Sequence, residues 1–348
     1  MGKMKYGMIT FLESGINDES GKISHFERIN NSIEEIVLAD KVGLDSYGIG
    51  EHHRSDYAAS TPPIILAAAS KLTKNIVLSS SVTVLSSDDP IRVYEQYATL
   101  DILSNGRANV MLGRGSFVES FNLFGLDLED YDMLFSEKLD LFLNARENEN
   151  VYFSGKHRKP LNGNPVFPRA VNKLNASIAV GGSYESVKRA ARLGLPIVFA
   201  ILGNHPKRFK AFVDLYKKEY IKYGHDIKKM SIGAAFHAII GNDDIIERYW
   251  PSHRDHLNQI GSERGWSKYS KQDYLESIKS GAYLVGNKDY MVDRLYDLIV
   301  SLGINNLLLH IPGSFMPHED TMRSIKIYGN EIIPELNKKL SNNKQFSV

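Results

Sequence analysis

The chain of 348 residues contains no cysteine. That excludes disulfides, thiolate metal ligands and a cysteine nucleophile, and it suits a reducing cytoplasm. An excess of either charge is also missing: 42 basic residues face 41 acidic ones, so no global field draws the protein to nucleic acid or an anionic membrane. No apolar run approaches the roughly 18 residues of a membrane span, and the stretch Met1–Tyr6 has no apolar core for a signal peptide. Three signatures are absent as well: the Gly-x-Ser-x-Gly elbow, the Gly-Lys-Ser/Thr phosphate loop and, at the first strand, a dinucleotide glycine fingerprint. What remains open is chemistry on a small, neutral or apolar ligand.

Short apolar runs alternate with helical patterns along the whole length, the mark of repeated βα units. Eight such pairs predict an α/β fold, a TIM (β/α)8 barrel, as a single domain over 1–348 with insertions after strands 4 and 7, at about 117–175 and 242–282. The first unit is the clearest. A strand near Tyr6–Phe11 is followed by Ser24-His25-Phe26-Glu27, a capping box, and by apolar Ile29, Ile33, Ile36 and Val37 at helical spacing until Gly43. Prolines at 62 and 90 start the next two helices.

In such barrels chemistry gathers where strands end. Strand two ends in Glu51-His52-His53, three titratable side chains that alternate between faces unless the backbone turns. A lone histidine is more often a structural residue than a catalyst, so the motif needs support from elsewhere. A metal site is disfavoured, because adjacent His52 and His53 cannot share one strand face. Strand three carries Ser79-Ser80-Ser81, buried hydroxyls that need partners from a ligand or from neighbouring backbone. Strand four runs into Gly113-Arg114-Gly115, where backbone can approach a ligand beside a fork of donors, or where a turn simply carries a solvated arginine. After strand five, Gly181-Gly182-Ser183-Tyr184-Glu185-Ser186 opens a helix; it reads equally as a phosphate seat and as a plain serine cap.

Taken together with Ser-Asp-Asp-Pro at 87–90, Leu-Ser-Asn-Gly-Arg at 103–107, Gly-Leu-Pro at 194–196, Tyr-Gly-His-Asp at 223–226 and Leu-Val-Gly at 284–286, these motifs resemble the bacterial luciferase-like monooxygenases over almost the whole chain. The resemblance implies a barrel that binds FMN, reduced by a separate flavin reductase, and that uses oxygen on a small-molecule substrate. It places His52 beside the flavin for proton transfer, Arg114 on the phosphate, and Gly182, Ser183, Tyr184 and Ser186 in the phosphate loop. It also implies a non-proline cis peptide at Ser81-Val82 against the flavin ring, and acidic Glu51 and Glu95 holding the elements around it. Gly113 stands where light-emitting members keep a reactive cysteine, and Gly182 where they keep an acidic residue, so light emission and long aldehydes lose support. Some relatives use a deazaflavin; the Glu-His-His pattern leans to FMN. Homodimers are common in that family, so a homodimer is expected, in the cytoplasm that the lack of cysteine suits; the first excursion, with Phe117 to Phe135, is the candidate lid. The competing reading is a flavin carrier or sensor on the same barrel, without monooxygenase turnover.

Overall fold

A computed structural model describes residues 3–15, 23–115, 117–312 and 316–343. Eight parallel strands close into a barrel: β1 Lys5–Thr10, β2 Ser46–Ile49, β3 Val77–Ser80, β4 Ala108–Gly113, β5 Asn175–Val180, β6 Ile197–Ala200, β7 Ile232–Ile240 and β8 Asn306–His310. Each pairs with the next, and β8 returns to β1 with Tyr6 opposite Leu307 and Ile9 opposite His310. The eight strands form a closed ring, and a helix follows each strand, as the α/β reading requires. No helix among the described residues is long and apolar enough to cross a membrane.

Local chemistry sets the helix ends. The Ser24 hydroxyl accepts from the Glu27 amide while the Glu27 carboxylate accepts from the Ser24 amide, so the capping box opens helix His25–Lys41. Helices Pro62–Ser70 and Pro90–Ser104 begin at their prolines, and Gly303 ends helix Lys288–Leu302 with φ of 69°.

Two packing zones result. The larger lies between barrel and helices. The smaller fills the barrel interior with Ile9, Met111, Val198, Ala235 and Leu308, which floor the upper end. Moving up two residues along each strand passes from that floor to Phe11 after β1, His237 on β7 and His310 on β8, because every second side chain points inward. His237 and His310 are register partners on adjacent strands.

Several features depart from the sequence reading. The third strand is interrupted after Ser80 and resumes as Thr83–Val84, which pairs with the end of β4. Between β4 and β5 the helix expected near Tyr131–Ala145 runs Tyr131–Glu147, followed by an antiparallel pair, Asn150–Phe153 with Leu161–Pro165. Between β7 and β8, helices Ile245–Arg264 and Lys271–Ser280 lead to an unexpected parallel strand, Tyr283–Gly286, on the outer half of β7.

Candidate active site

At the C-terminal end of the barrel a cavity opens in two lobes that share Phe11, His52 and Phe117. The first lobe, about 270 Å³, lies over the ends of β2 to β5 and is lined by Glu51, His52, Ser81, Val82, Gly113, Arg114, Gly181 and Ser186. The second, about 610 Å³, lies over β1, β7 and β8.

Glu51 ties the first lobe together. One carboxylate oxygen accepts from the Val84 amide at 2.9 Å, the other meets His53 Nε2 at 2.9 Å, and the Glu51 amide donates to the Val82 carbonyl at 3.1 Å. The backbone around Ser81-Val82, whose peptide bond is cis, is thereby fixed from the side of β2. Ser79 and Ser80 find partners inside the sheet, on the Ser80 carbonyl and the Met111 backbone respectively, whereas Ser81 faces the cavity. A side chain at position 113 would drive its Cβ to 2.7 Å from Val82, so glycine is required for this approach.

His52 stands between the lobes. Its ring stacks on Tyr57 at 4.3 Å and 14° and meets Phe11 and Phe117 at 5.1 and 5.5 Å. Burial pushes its pKa down to about 4, which leaves a neutral imidazole at pH 7, and Nδ1 is buried without a partner among the described residues.

Cations gather at the rim. Arg114 pairs with Asp132 and lies over the Tyr131 ring at 5.3 Å. Burial and the nearby Arg114 charge both lower the pKa of Arg189, which the sequence reading missed. The Arg114 guanidinium, beside the unhindered backbone of Gly181 and the hydroxyl-bearing Ser186, suits an anion such as a phosphate, while Arg189 stands over the Phe135 ring. Ser183 caps helix Tyr184–Arg192 by accepting from the Ser186 amide at 3.4 Å. Gly182, Ser183 and Tyr184 are not part of the cavity wall, and Tyr184 packs on Phe212. Glu95 lies away from the cavity, paired with Arg92 on its own helix.

Arg54 was also missed. It reaches Asp56 at 2.9 Å, Glu119 at 2.5 Å and Glu263 at 2.8 Å, and its guanidinium covers the Phe117 ring at 4.6 Å. One side chain thus joins the β2 loop to both long excursions across the mouth.

The described residues thus form a closed parallel barrel with a two-lobed cavity at its C-terminal end, a backbone wall at Ser81-Val82 and a guanidinium at the rim, the architecture of a barrel enzyme. The family model for luciferase-like monooxygenases matches residues 4–306, and the chain belongs to that family of flavin-dependent monooxygenases. It is similar to the alkanal monooxygenase alpha chain of Photorhabdus laumondii, with 22% identity over 336 residues, covering 87% of this chain and 90% of that one. Among solved structures it is similar to monooxygenase RslO1 from Streptomyces bottropensis, with a TM-score of 0.84 at 19% identity, covering 95% and 99% of the two chains. It also resembles the oxygenating constituent of 3,6-diketocamphane monooxygenase from Pseudomonas putida, solved with FMN, at a TM-score of 0.74 and 19% identity with 95% and 98% coverage. An F420-dependent secondary alcohol dehydrogenase shares the fold at a TM-score of 0.76 and 18% identity, covering 96% and 99%.

Proposed function

We propose that the protein is an FMN-dependent monooxygenase acting on a small organic substrate, with reduced FMN supplied by a separate flavin reductase. The observation that carries this reading is the first lobe: a Ser81-Val82 backbone wall at one side, Arg114, Gly181 and Ser186 at the far end, and a neutral buried imidazole at the seam with a second cavity. The residues fit FMN, whose single phosphate would meet Arg114, Ser186 and the amides at the start of helix Tyr184–Arg192. A deazaflavin such as F420 remains the competing cofactor. Reduced FMN, when bound, supplies the two electrons that activate oxygen for transfer to a substrate.

The chain's own residues do the rest. Glu51 holds the Ser81–Val84 backbone in place, and Phe11, Tyr57 and Phe117 shield the seam from water. His52 carries one N–H and one lone pair at neutral pH, so it can give or take a proton there without first losing charge. The segment from Phe117 to Phe135, strapped by Arg54 through Glu119, serves as the lid. The same reading takes the protein as a cytoplasmic homodimer, which sedimentation checks.

Fluorescence titration with FMN, riboflavin and F420 tests the cofactor. FMN should bind tightest, and Arg114→Ala should weaken FMN roughly tenfold while leaving riboflavin within about twofold. Equal losses for both would remove the phosphate role. Oxygen uptake by the reduced-FMN complex then separates enzyme from carrier. A carrier or sensor returns all electrons as hydrogen peroxide whatever compound is added, whereas a monooxygenase lowers that yield and places an atom from labelled oxygen in its product.

A further inference from the structure

The second lobe collects polar atoms that the protein itself leaves without partners. Glu13 Oε2, His52 Nδ1, His253 Nε2 and His310 Nε2 are buried on its wall with no hydrogen bond of good geometry among the described residues, the last meeting Glu13 only as an ion pair. Leaving such groups unmet costs about 1–3 kcal/mol each, so the lobe is built for a polar occupant. An alkyl chain would strand all of them. A metal ion is not what they frame, since among the described residues no group of three or more His, Asp or Glu is placed to hold one.

Two imidazoles and a carboxylate in this lobe form an ordered chain. His310 Nε2 lies 2.8 Å from Glu13 Oε1 as an ion-pair contact, and His310 Nδ1 lies 2.7 Å from His237 Nδ1. Burial alone would raise the Glu13 carboxyl, but the charge and hydrogen bonding of His310 carry it down to about 2, so it is an anion and only an acceptor. Direction follows from that end. Facing a carboxylate, His310 Nε2 carries the proton; His310 Nδ1 then accepts, and His237 Nδ1 donates to it. His237 Nε2 is left as a bare lone pair with no hydrogen bond among the described residues, on a ring whose residual exposure is to the cavity. Its ring is held by stacking on Tyr283 at 5.1 Å and 9°. His253 and His256, from helix Ile245–Arg264, and the stacked Tyr283 are further titratable groups around it, and burial, followed by the charges of His310, His253 and His256, lowers the His237 pKa so that it rests neutral.

Six aromatic side chains also line the lobe, Tyr57, Phe117, Tyr249, Trp266, Tyr269 and Tyr283, with Arg264 at its edge over the Phe117 and Trp266 rings. Rings on the walls with acceptors at the floor, His237 Nε2 and the unmet Glu13 Oε2 among them, recognise a flat molecule with an acidic hydroxyl. Resting on the reading of this cavity as the active site, we infer that the substrate is a planar aromatic phenol or enol whose hydroxyl donates to His237 Nε2. As the O–H bond breaks, His237 Nε2–H forms, and the resulting positive charge is shared with His310 and balanced by Glu13, which stays ionised. The oxygen keeps its electron pair, so the bound ring becomes electron-rich without any oxidant or reductant entering this step. His237, His310 and Glu13 are its proton-handling residues, with His310 and Glu13 acting through His237.

The test uses the flavin-free protein with 4-nitrophenol, whose ionised form is yellow, and its methyl ether 4-nitroanisole. Nitrophenol should bind at least about tenfold tighter than the ether, and the bound probe should be yellow at a pH where the free probe is mostly colourless. His237→Phe, which keeps a ring on Tyr283, should abolish both differences while FMN affinity stays within about twofold. Glu13→Gln should keep nitrophenol binding but shift its ionisation to higher pH. Equal affinity for phenol and ether, undiminished phenol binding in His237→Phe, or a bound probe that stays colourless would each overturn the inference. Because no flavin is present, phenol binding with no FMN binding would sink the cofactor reading and leave this one standing.

Discussion

Lowering the pH should destabilise this protein well before its carboxylates protonate, and His52 gives the magnitude. In the unfolded chain its imidazole titrates near 6.5; in the fold, burial among Tyr57, Phe11 and Phe117 lowers that to about 4. Between those values the unfolded state binds a proton that the folded state refuses, so stability falls as pH falls through the window. Each pH unit is worth about 1.4 kcal/mol, and the full interval about 3 kcal/mol, for this one group. His253, lowered to about 3, and His237 and His256, also lowered, add to the same slope. Glu13 acts elsewhere: its carboxyl, held near 2, contributes stability above the usual carboxyl range that is lost only below about pH 4.5. Urea unfolding at pH 7, 6 and 5 therefore isolates the histidines. His52→Phe keeps an aromatic ring in the stack and removes one titration, so relative to the parent it should gain about 1.4 kcal/mol per unit once the pH is below 6.5. Parallel pH profiles for the two proteins would refute a buried neutral imidazole at position 52.

Arg54→Ala should free both excursions over the mouth. The contacts to Glu119 and Glu263 are at the rim and worth under about 1 kcal/mol each, but Asp56 is left as a nearly buried carboxylate without its cation, for a total of roughly 2–4 kcal/mol. Hydrogen exchange should quicken in Glu119–Leu123 and Ile245–Arg264 together; quickening in neither means the strap holds nothing. Arg28→Met should cost about 3–5 kcal/mol in urea unfolding, because Glu35, also bonded by the Tyr47 hydroxyl at 2.6 Å, loses a fully buried partner at 2.8 Å. Adding Glu35→Leu should recover most of the loss, and failure to recover would show that Arg28 acts through packing instead.

The barrel was legible because its signals are local. Ser24 with Glu27, the prolines at 62 and 90, and Gly43 and Gly303 each act within one turn of chain, and the elements they bound lie where those residues place them. Strand Tyr283–Gly286 was not legible. Four apolar residues ahead of a helix read as its approach, and only their register against His237–Ile240 makes them a strand. The polar hairpin at Asn150–Phe153 and Leu161–Pro165 likewise has no alternation to announce it. Arg28 escaped for a related reason: a cation at a buried helical position looks like a break in the apolar face until Glu35, seven residues on, is seen to complete it.

The site divides along the same line. Glu51, His52, Ser81, Val82, Gly113, Arg114 and Ser186 meet around one lobe, and each stands in a short motif at a strand end, where sequence alone directs attention. Glu13, His237 and His310 stand in no motif. Their signal is the two-residue step: on β1, β7 and β8 the interior positions climb from Ile9, Ala235 and Leu308 to Phe11, His237 and His310, and on to Glu13. Reading it requires knowing which face of each strand points inward, which register alone supplies. The outcome is a mouth with unlike halves. Strands β3 to β5 end in serine, glycine and valine, so backbone can lie against a ring, with Arg114 kept at the rim. Strands β1, β7 and β8 end in groups that distinguish a hydroxyl from a carbon. Among the described side chains that line both lobes, His52 alone can carry a proton, so it is where a proton handled by one half can influence what is held by the other.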